Sequence, residues 1–194
     1  MFSKDKAAVL LAEFFGTFVL ASAVLGMSTK ISIPYFTAVT AGVTLGLMVL
    51  VIGKVSGAHI NPAVTFGLWS VKKIPTTQAI VYIASQLLGG LAAWRLAEYF
   101  FSQTLPNISG KNLDWRVLIA EAVGTFIFSF GIAAALGQKL EDGRLAAAIG
   151  MSLFVGIVVA SMASNGVLNP AVALGIHSYS LNYVAGPLVG ALLG

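Results

Sequence analysis

The stretch "SGAHINPAVTFG", residues 56–67, returns in altered form as "SNGVLNPAVALG" at 164–175. Each copy places an Asn-Pro pair inside an apolar run, and the shared Asn-Pro-Ala-Val begins at Asn61 and again at Asn169, 108 residues later. Asn is among the preferred N-cap residues and Pro is enriched at the first helical position. Asn-Pro-Ala-Val therefore reads as a helix start. The apolar stretch after each start is about ten residues, roughly 15 Å of helix, or half the hydrocarbon thickness of ~30 Å. Two half-helices entering from opposite faces would meet near the membrane centre.

The surrounding chain fits a membrane setting. Of 194 residues, 58% are hydrophobic and 9% are charged, against roughly 25% charged in soluble domains. A chain so poor in charge cannot solvate a globular surface. The net charge of +4 could suggest nucleic acid. No basic run exceeds Lys72-Lys73 and no aromatic residues interleave with one, so nucleic-acid binding is excluded. There are no cysteines, which removes disulfides, thiolate chemistry and cysteine-bound metals. Two histidines and seven acids assemble no nucleophile–base pair or metal cluster, so neither an enzyme nor a cofactor is expected.

Sliding the chain by 108 residues aligns more than the Asn-Pro pairs. "VLLAEFFGTF" (9–18) meets "VLIAEAVGTF" (117–126), with Glu13 over Glu121. Gly42 falls on Gly150, Ser56 on Ser164 and Gly67 on Gly175. The chain is read as one transmembrane domain, 1–194, containing repeats over about 7–104 and 115–194. Apolar segments of spanning length lie at 7–27, 36–55, 78–101, 115–136 and 145–163, with a last one from about 179. That last segment has only 16 residues, so either the helix is short or its tail is missing. The first segment, with "ASA" at 21–23, imitates a cleaved signal. It is longer than a signal core and has a counterpart in the second repeat, so it is kept as a helix.

Three spans per repeat make the repeat inverted. With the N-terminus inside, Lys4, Lys6, Lys54, Lys72, Lys73, Lys139 and Arg144 are cytoplasmic, while Lys30, Lys111, Arg116 and Arg95 lie on or near the outer side. This excess supports a cytoplasmic N-terminus. Arg95 has Glu98 at i+3 and is expected to pair with it.

The residues before each half-helix, 57–60 and 165–168, must be non-helical within the membrane. Such backbone is tolerated where it is buried or lines a water-filled cavity. The carbonyls of Gly57, Ala58, His59, Ile60, Asn165, Val167 and Leu168 are thus expected to offer acceptors to a pore. The half-helix starts at Asn61-Pro62-Ala63 and Asn169-Pro170-Ala171 place donors and partial positive charge at its centre. Together they describe a path for small polar molecules that opposes cations and protons.

These motifs closely resemble the aquaporin, or major intrinsic protein, family. "SGAHINPAVT" is similar to the family's first Asn-Pro-Ala loop, and "AEFFGTF" and "AEAVGTF" to the starts of its first and fourth helices. The resemblance implies an all-α membrane fold of six transmembrane helices and two re-entrant half-helices. It further implies a homotetramer in the plasma membrane, with a pore in each subunit for water or small neutral solutes. It assigns Asn61 and Asn169 as central pore donors, and Glu13 and Glu121 as buried anchors of the loops. His59 fits the first loop as a lining carbonyl with an imidazole tying the loop, and His177 is expected near the outer vestibule.

The family's constriction carries an arginine three residues after the second asparagine, and here that residue is Val172. The other constriction positions fall on Ala41, Ile157 and Gly166. This set has no charge, no aromatic ring and no side-chain donor. The expectation is a wider, more apolar filter, open to glycerol, urea or gases, with dewetting as an alternative means of gating. Two rival readings stand beside the channel. One is a structural or adhesion protein of this fold that conducts little. The other is a secondary transporter, which would need Glu13 or Glu121 to carry ions or protons. A sequon at Asn107 ("NIS") in the expected outer loop is the default product of chance.

Overall fold

The computed structural model describes residues 4–29, 33–110 and 112–194. Lys30 and Lys111, two of the expected outer charges, lie outside the described residues. Among the described residues the elements are α1 (Lys4–Ser28), α2 (Pro34–Ser56), α3 (Pro62–Ser70), α4 (Thr76–Phe101), α5 (Trp115–Gly137), α6 (Asp142–Ala160), α7 (Pro170–Gly175) and α8 (Asn182–Leu193). Five of them, α1, α2, α4, α5 and α6, are long and apolar enough to span a bilayer. The sixth, α8, has 12 residues, about 18 Å at 1.5 Å per residue.

The two short helices begin where Asn-Pro directs. Asn61 caps α3 by accepting from the Ala63 N–H at 2.8 Å. Asn169 caps α7 by accepting from Ala171 N at 3.0 Å and Val172 N at 3.3 Å. Their lengths differ from the expected ten residues, being 9 for α3 and 6 for α7. The second is cut short because the chain turns at Ile176 and His177, where His177 adopts a left-handed φ of 57°. The fifth span runs Asp142–Ala160 rather than 145–163. Ser161 and Ser164 at its end hydrogen-bond back to Ile157 O and Ala160 O, closing the helix before the re-entrant loop.

Helix packing repeats with the sequence. In the first half α1 packs on α2 and α4, and in the second α5 packs on α6 and α8. The halves join through α2 and α6, which cross at Gly42 and Gly150. A Cβ on Gly42 would stand 2.6 Å from Gly150 O, and one on Gly150 would stand 2.5 Å from Gly42 O. No larger residue allows this approach, and small interfaces of this kind are how membrane helices pack closely. The half-helices exchange partners between repeats, with α3 against α8 and α7 against α4.

Polarity is arranged for a bilayer. Large apolar side chains such as Leu47, Val51, Phe130 and Met162 are exposed, while Glu13, Glu121, Gln86, Asn61 and Asn169 are buried. Charges collect at helix ends. Lys54 pairs with Asp142 at 3.2 Å where α2 ends and α6 begins. Arg95 pairs with Glu98 at 2.9 Å, as their spacing predicts.

Candidate functional site

The two re-entrant segments are built by the same contacts, displaced along the sequence by one repeat. Ile60 and Leu168 each precede an asparagine and each adopt positive φ, 39° and 54°. For a β-branched or bulky residue this is a strained conformation, held only where the surroundings over-determine it. The buried glutamates supply that constraint. Glu13 Oε1 accepts from Ser56 Oγ at 2.6 Å and His59 N at 3.0 Å, and its Oε2 accepts from Ile60 N at 2.7 Å. Glu121 Oε1 accepts from Ser164 Oγ at 2.7 Å and Val167 N at 3.0 Å, and its Oε2 accepts from Leu168 N at 2.7 Å. Each carboxylate replaces the missing helix or sheet partners of a loop that water could not satisfy.

The asparagines then cross between repeats. Asn61 Nδ2 donates to Leu168 O at 2.9 Å, and Asn169 Nδ2 donates to Ile60 O at 2.9 Å. Each side chain therefore caps its own half-helix with Oδ1 and straps the opposite loop with one N–H. A carboxamide has two N–H donors, and the crossing uses one from each asparagine. Two of the carbonyls expected as open acceptors, those of Ile60 and Leu168, are thus partnered by the opposing asparagine. Their side chains are fully buried.

A cavity lies on each side of this crossing. One, about 280 Å³, is lined by Ala41, Ile157, Gly166 and Val172, together with Asn165, Val167 and Asn169. The four positions named from the sequence as a constriction thus share one cavity. Leu20, Val24 and Leu153 extend its apolar wall. The other, about 340 Å³, is lined by Gly57, Ala58 and His59 together with Phe128, Ile132 and Leu145. Among the described residues, no three His, Cys, Asp or Glu side chains gather as metal ligands.

Comparison with known proteins is decisive for the family. The family model described as Major intrinsic protein matches residues 2–194. The chain belongs to the major intrinsic protein family. Aquaporin AqpM of Methanothermobacter marburgensis is 32% identical over 78% of this chain and 70% of its own length. Aquaporin NIP1-1 of Oryza sativa is 32% identical over 95% of this chain and 71% of its own length. The X-ray structure of the aquaglyceroporin from Plasmodium falciparum superposes with a TM-score of 0.73, covering 96% of this chain and 92% of that one at 24% identity. That likeness establishes the aquaporin fold. As a major intrinsic protein the chain is a multi-pass membrane channel and not an enzyme.

Several residues that complete the site in this major intrinsic protein carry no motif. Gln86 Nε2 donates to Glu13 Oε2 at 2.7 Å and lies 2.9 Å from Thr65 Oγ1. Tyr82 donates its hydroxyl to Ser56 O at 2.7 Å. In the other repeat Asn165 N donates to the Tyr183 hydroxyl at 3.2 Å. Only their polarity within apolar spans could have flagged Gln86, Tyr82 and Tyr183. Ser56 and Ser164 were aligned by the repeat without a role. The imidazole of His59 lies 3.1 Å from Thr65 Oγ1 and edge-on to Tyr82, so it does tie the first loop. His177 lies just beyond α7, stacked on Trp94 at 4.6 Å, with Nδ1 2.6 Å from Leu105 O.

Proposed function

We propose that solutes cross this channel between an outer cavity, the one lined by Val172, and an inner cavity, the one lined by His59, passing Asn61 and Asn169, and that its cargo is water together with small neutral solutes such as glycerol or urea. The observation that carries this reading is the crossing of the two asparagines between the cavities. Each is bonded so that one amide N–H remains for a molecule in single file. The half-helix N-termini at the same point add positive potential against cations and protons. The glutamates, with both oxygens occupied by donors, act as loop anchors rather than as carriers, which argues against a coupled transporter.

Selectivity in this reading comes from Ala41, Ile157, Gly166 and Val172, whose apolar surfaces discriminate by size and by the cost of stripping hydration. The carbonyls of Gly57, Ala58, His59, Asn165 and Val167 serve as acceptors along the path. The protein works as a homotetramer in the lipid bilayer of the plasma membrane with its N-terminus in the cytoplasm. The placement of Lys54, Lys72, Lys73, Lys139 and Arg144 at the α1-start end supports that orientation.

Stopped-flow light scattering on proteoliposomes tests the reading. Wild-type vesicles are expected to shrink faster than empty ones under an osmotic gradient and to admit glycerol and urea. Val172→Arg should slow glycerol and urea entry by about tenfold, a barrier increase of about 1.4 kcal/mol, with a smaller loss of water flux. Unchanged solute selectivity in Val172→Arg would remove this residue from the filter. Flux equal to that of empty vesicles would favour a structural role.

A further inference from the structure

On the flank of the bundle where α1 begins, a groove of about 560 Å³ runs between α1, α2 and α4. Most of its wall is apolar, with Val9, Leu10, Val55 and Val81, and Lys6, Thr77 and Gln78 also line it. A second cavity, of about 740 Å³, shares Pro75 with it and is lined by Trp69, Lys72 and Lys73. Among the described residues, no acidic side chain lines either one.

The lysine turn is rigid. Lys73 N donates to Leu68 O at 2.9 Å and Lys72 N to Trp69 O at 2.9 Å, closing α3 in a Schellman motif. Lys72 holds its left-handed position at φ 59°, where glycine is the ordinary choice. Trp69 donates from Nε1 to Thr76 Oγ1 at 3.0 Å, which fixes the indole beside the turn. Tryptophan and lysine at the end of a membrane bundle mark the headgroup level, and the groove beside them lies along the first turns of α1 and α4.

We propose that an anionic phospholipid binds here, with an acyl chain in the groove between α1, α2 and α4 and its phosphate at Lys72 and Lys73. Charge complementarity at Lys72 and Lys73, next to an apolar groove, selects this occupant over a neutral lipid or a protein partner. The site also reaches the channel machinery. Ser56 and Tyr82 line the groove, and both belong to the network around Glu13. A bound acyl chain therefore lies against the back of the clamp that holds the inner loop.

Lipid retention tests this without any flux measurement, so its outcome is separate from that of the channel reading. Purified protein in nonionic detergent is titrated with dioleoylphosphatidylglycerol or dioleoylphosphatidylcholine, and bound lipid is counted by native mass spectrometry. Wild type should retain the anionic lipid preferentially. An attraction of about 1 kcal/mol per lysine near an anionic surface corresponds to about fivefold each. Lys72→Gly with Lys73→Gln should therefore weaken retention by about 25-fold, and the glycine relieves the positive φ, so the fold is kept. Val81→Trp, which fills the groove, should reduce retention with both lysines present. Glycerol 3-phosphate, which has no acyl chain, should not compete. Equal retention of the two lipids by wild type, or an undiminished anionic preference in the double variant, overturns the proposal. So does competition by glycerol 3-phosphate, or a loss of oligomer in Val81→Trp with lipid retention unchanged, which would make the groove a contact between copies.

Discussion

The two re-entrant segments share a motif but are not held equally. Glu13 collects four hydrogen bonds, from Ser56, His59, Ile60 and Gln86, whereas Glu121 collects three, from Ser164, Val167 and Leu168. The extra donor comes from α4, and α8 offers no equivalent. The second segment is tied elsewhere. Asn165 Nδ2 donates to Ile108 O at 3.1 Å and to Ser178 Oγ at 2.9 Å, and Ile108 N donates to His177 O at 3.1 Å. The first loop is thus fixed by spanning helices, and the second partly by the connector between repeats. A duplicated motif preserved the glutamate clamp, while each copy found its remaining support in whatever lay nearby.

The largest test of that difference removes the clamps. Each buried polar group left without a partner costs about 1–3 kcal/mol, so both Glu13→Ala and Glu121→Ala should destabilise by several such increments. Thermal unfolding in detergent should show the greater loss for Glu13→Ala, because one N–H of Gln86 is stranded as well, the other still reaching Thr65. A reversed order would break the comparison.

A medium effect separates the two kinds of support. Gln86→Leu should lower stability by about 1–3 kcal/mol and leave amide exchange in residues 104–109 unchanged. Asn165→Ala should do the opposite, speeding exchange at Ile108 and Ser109 with a global cost of about 1 kcal/mol. Faster exchange of the connector in Gln86→Leu would show that the two supports are not independent.

The smallest effect sharpens the contrast at equivalent positions. Thr17 Oγ1 donates to Glu13 O at 2.8 Å, whereas the buried Thr125 hydroxyl has no partner among the described residues. Thr17→Val should cost about 1 kcal/mol, and Thr125→Val should be neutral or stabilising, since removing an unsatisfied hydroxyl relieves a desolvation cost. Matched unfolding curves for the pair would decide it.

Much of the site was legible from residues alone where its cause is local. Asn at the cap and Pro at the first turn specify α3 and α7 by chemistry within four residues. The pairing of Glu13 with Glu121 and of Ser56 with Ser164 followed from the repeat. Gln86 was not legible, because a lone glutamine in an apolar helix says nothing of which face it occupies or what it meets. The lengths of α3 and α7 were also hidden, since Lys72 and His177 end them in left-handed turns that no glycine announces.

The sequence by itself determined that this chain lives in a membrane, that it is an inverted repeat, and where its half-helices start. Hydropathy, repeat spacing and capping are properties of neighbouring residues, so they survive without coordinates. Only the tertiary structure decided that Asn61 and Asn169 spend an amide N–H on each other's loops, that Ala41, Ile157, Gly166 and Val172 share one cavity, and that Lys72 and Lys73 adjoin an apolar groove. Those arrangements join residues far apart in the chain, and they exist only once Gly42 and Gly150 let the two halves close on each other.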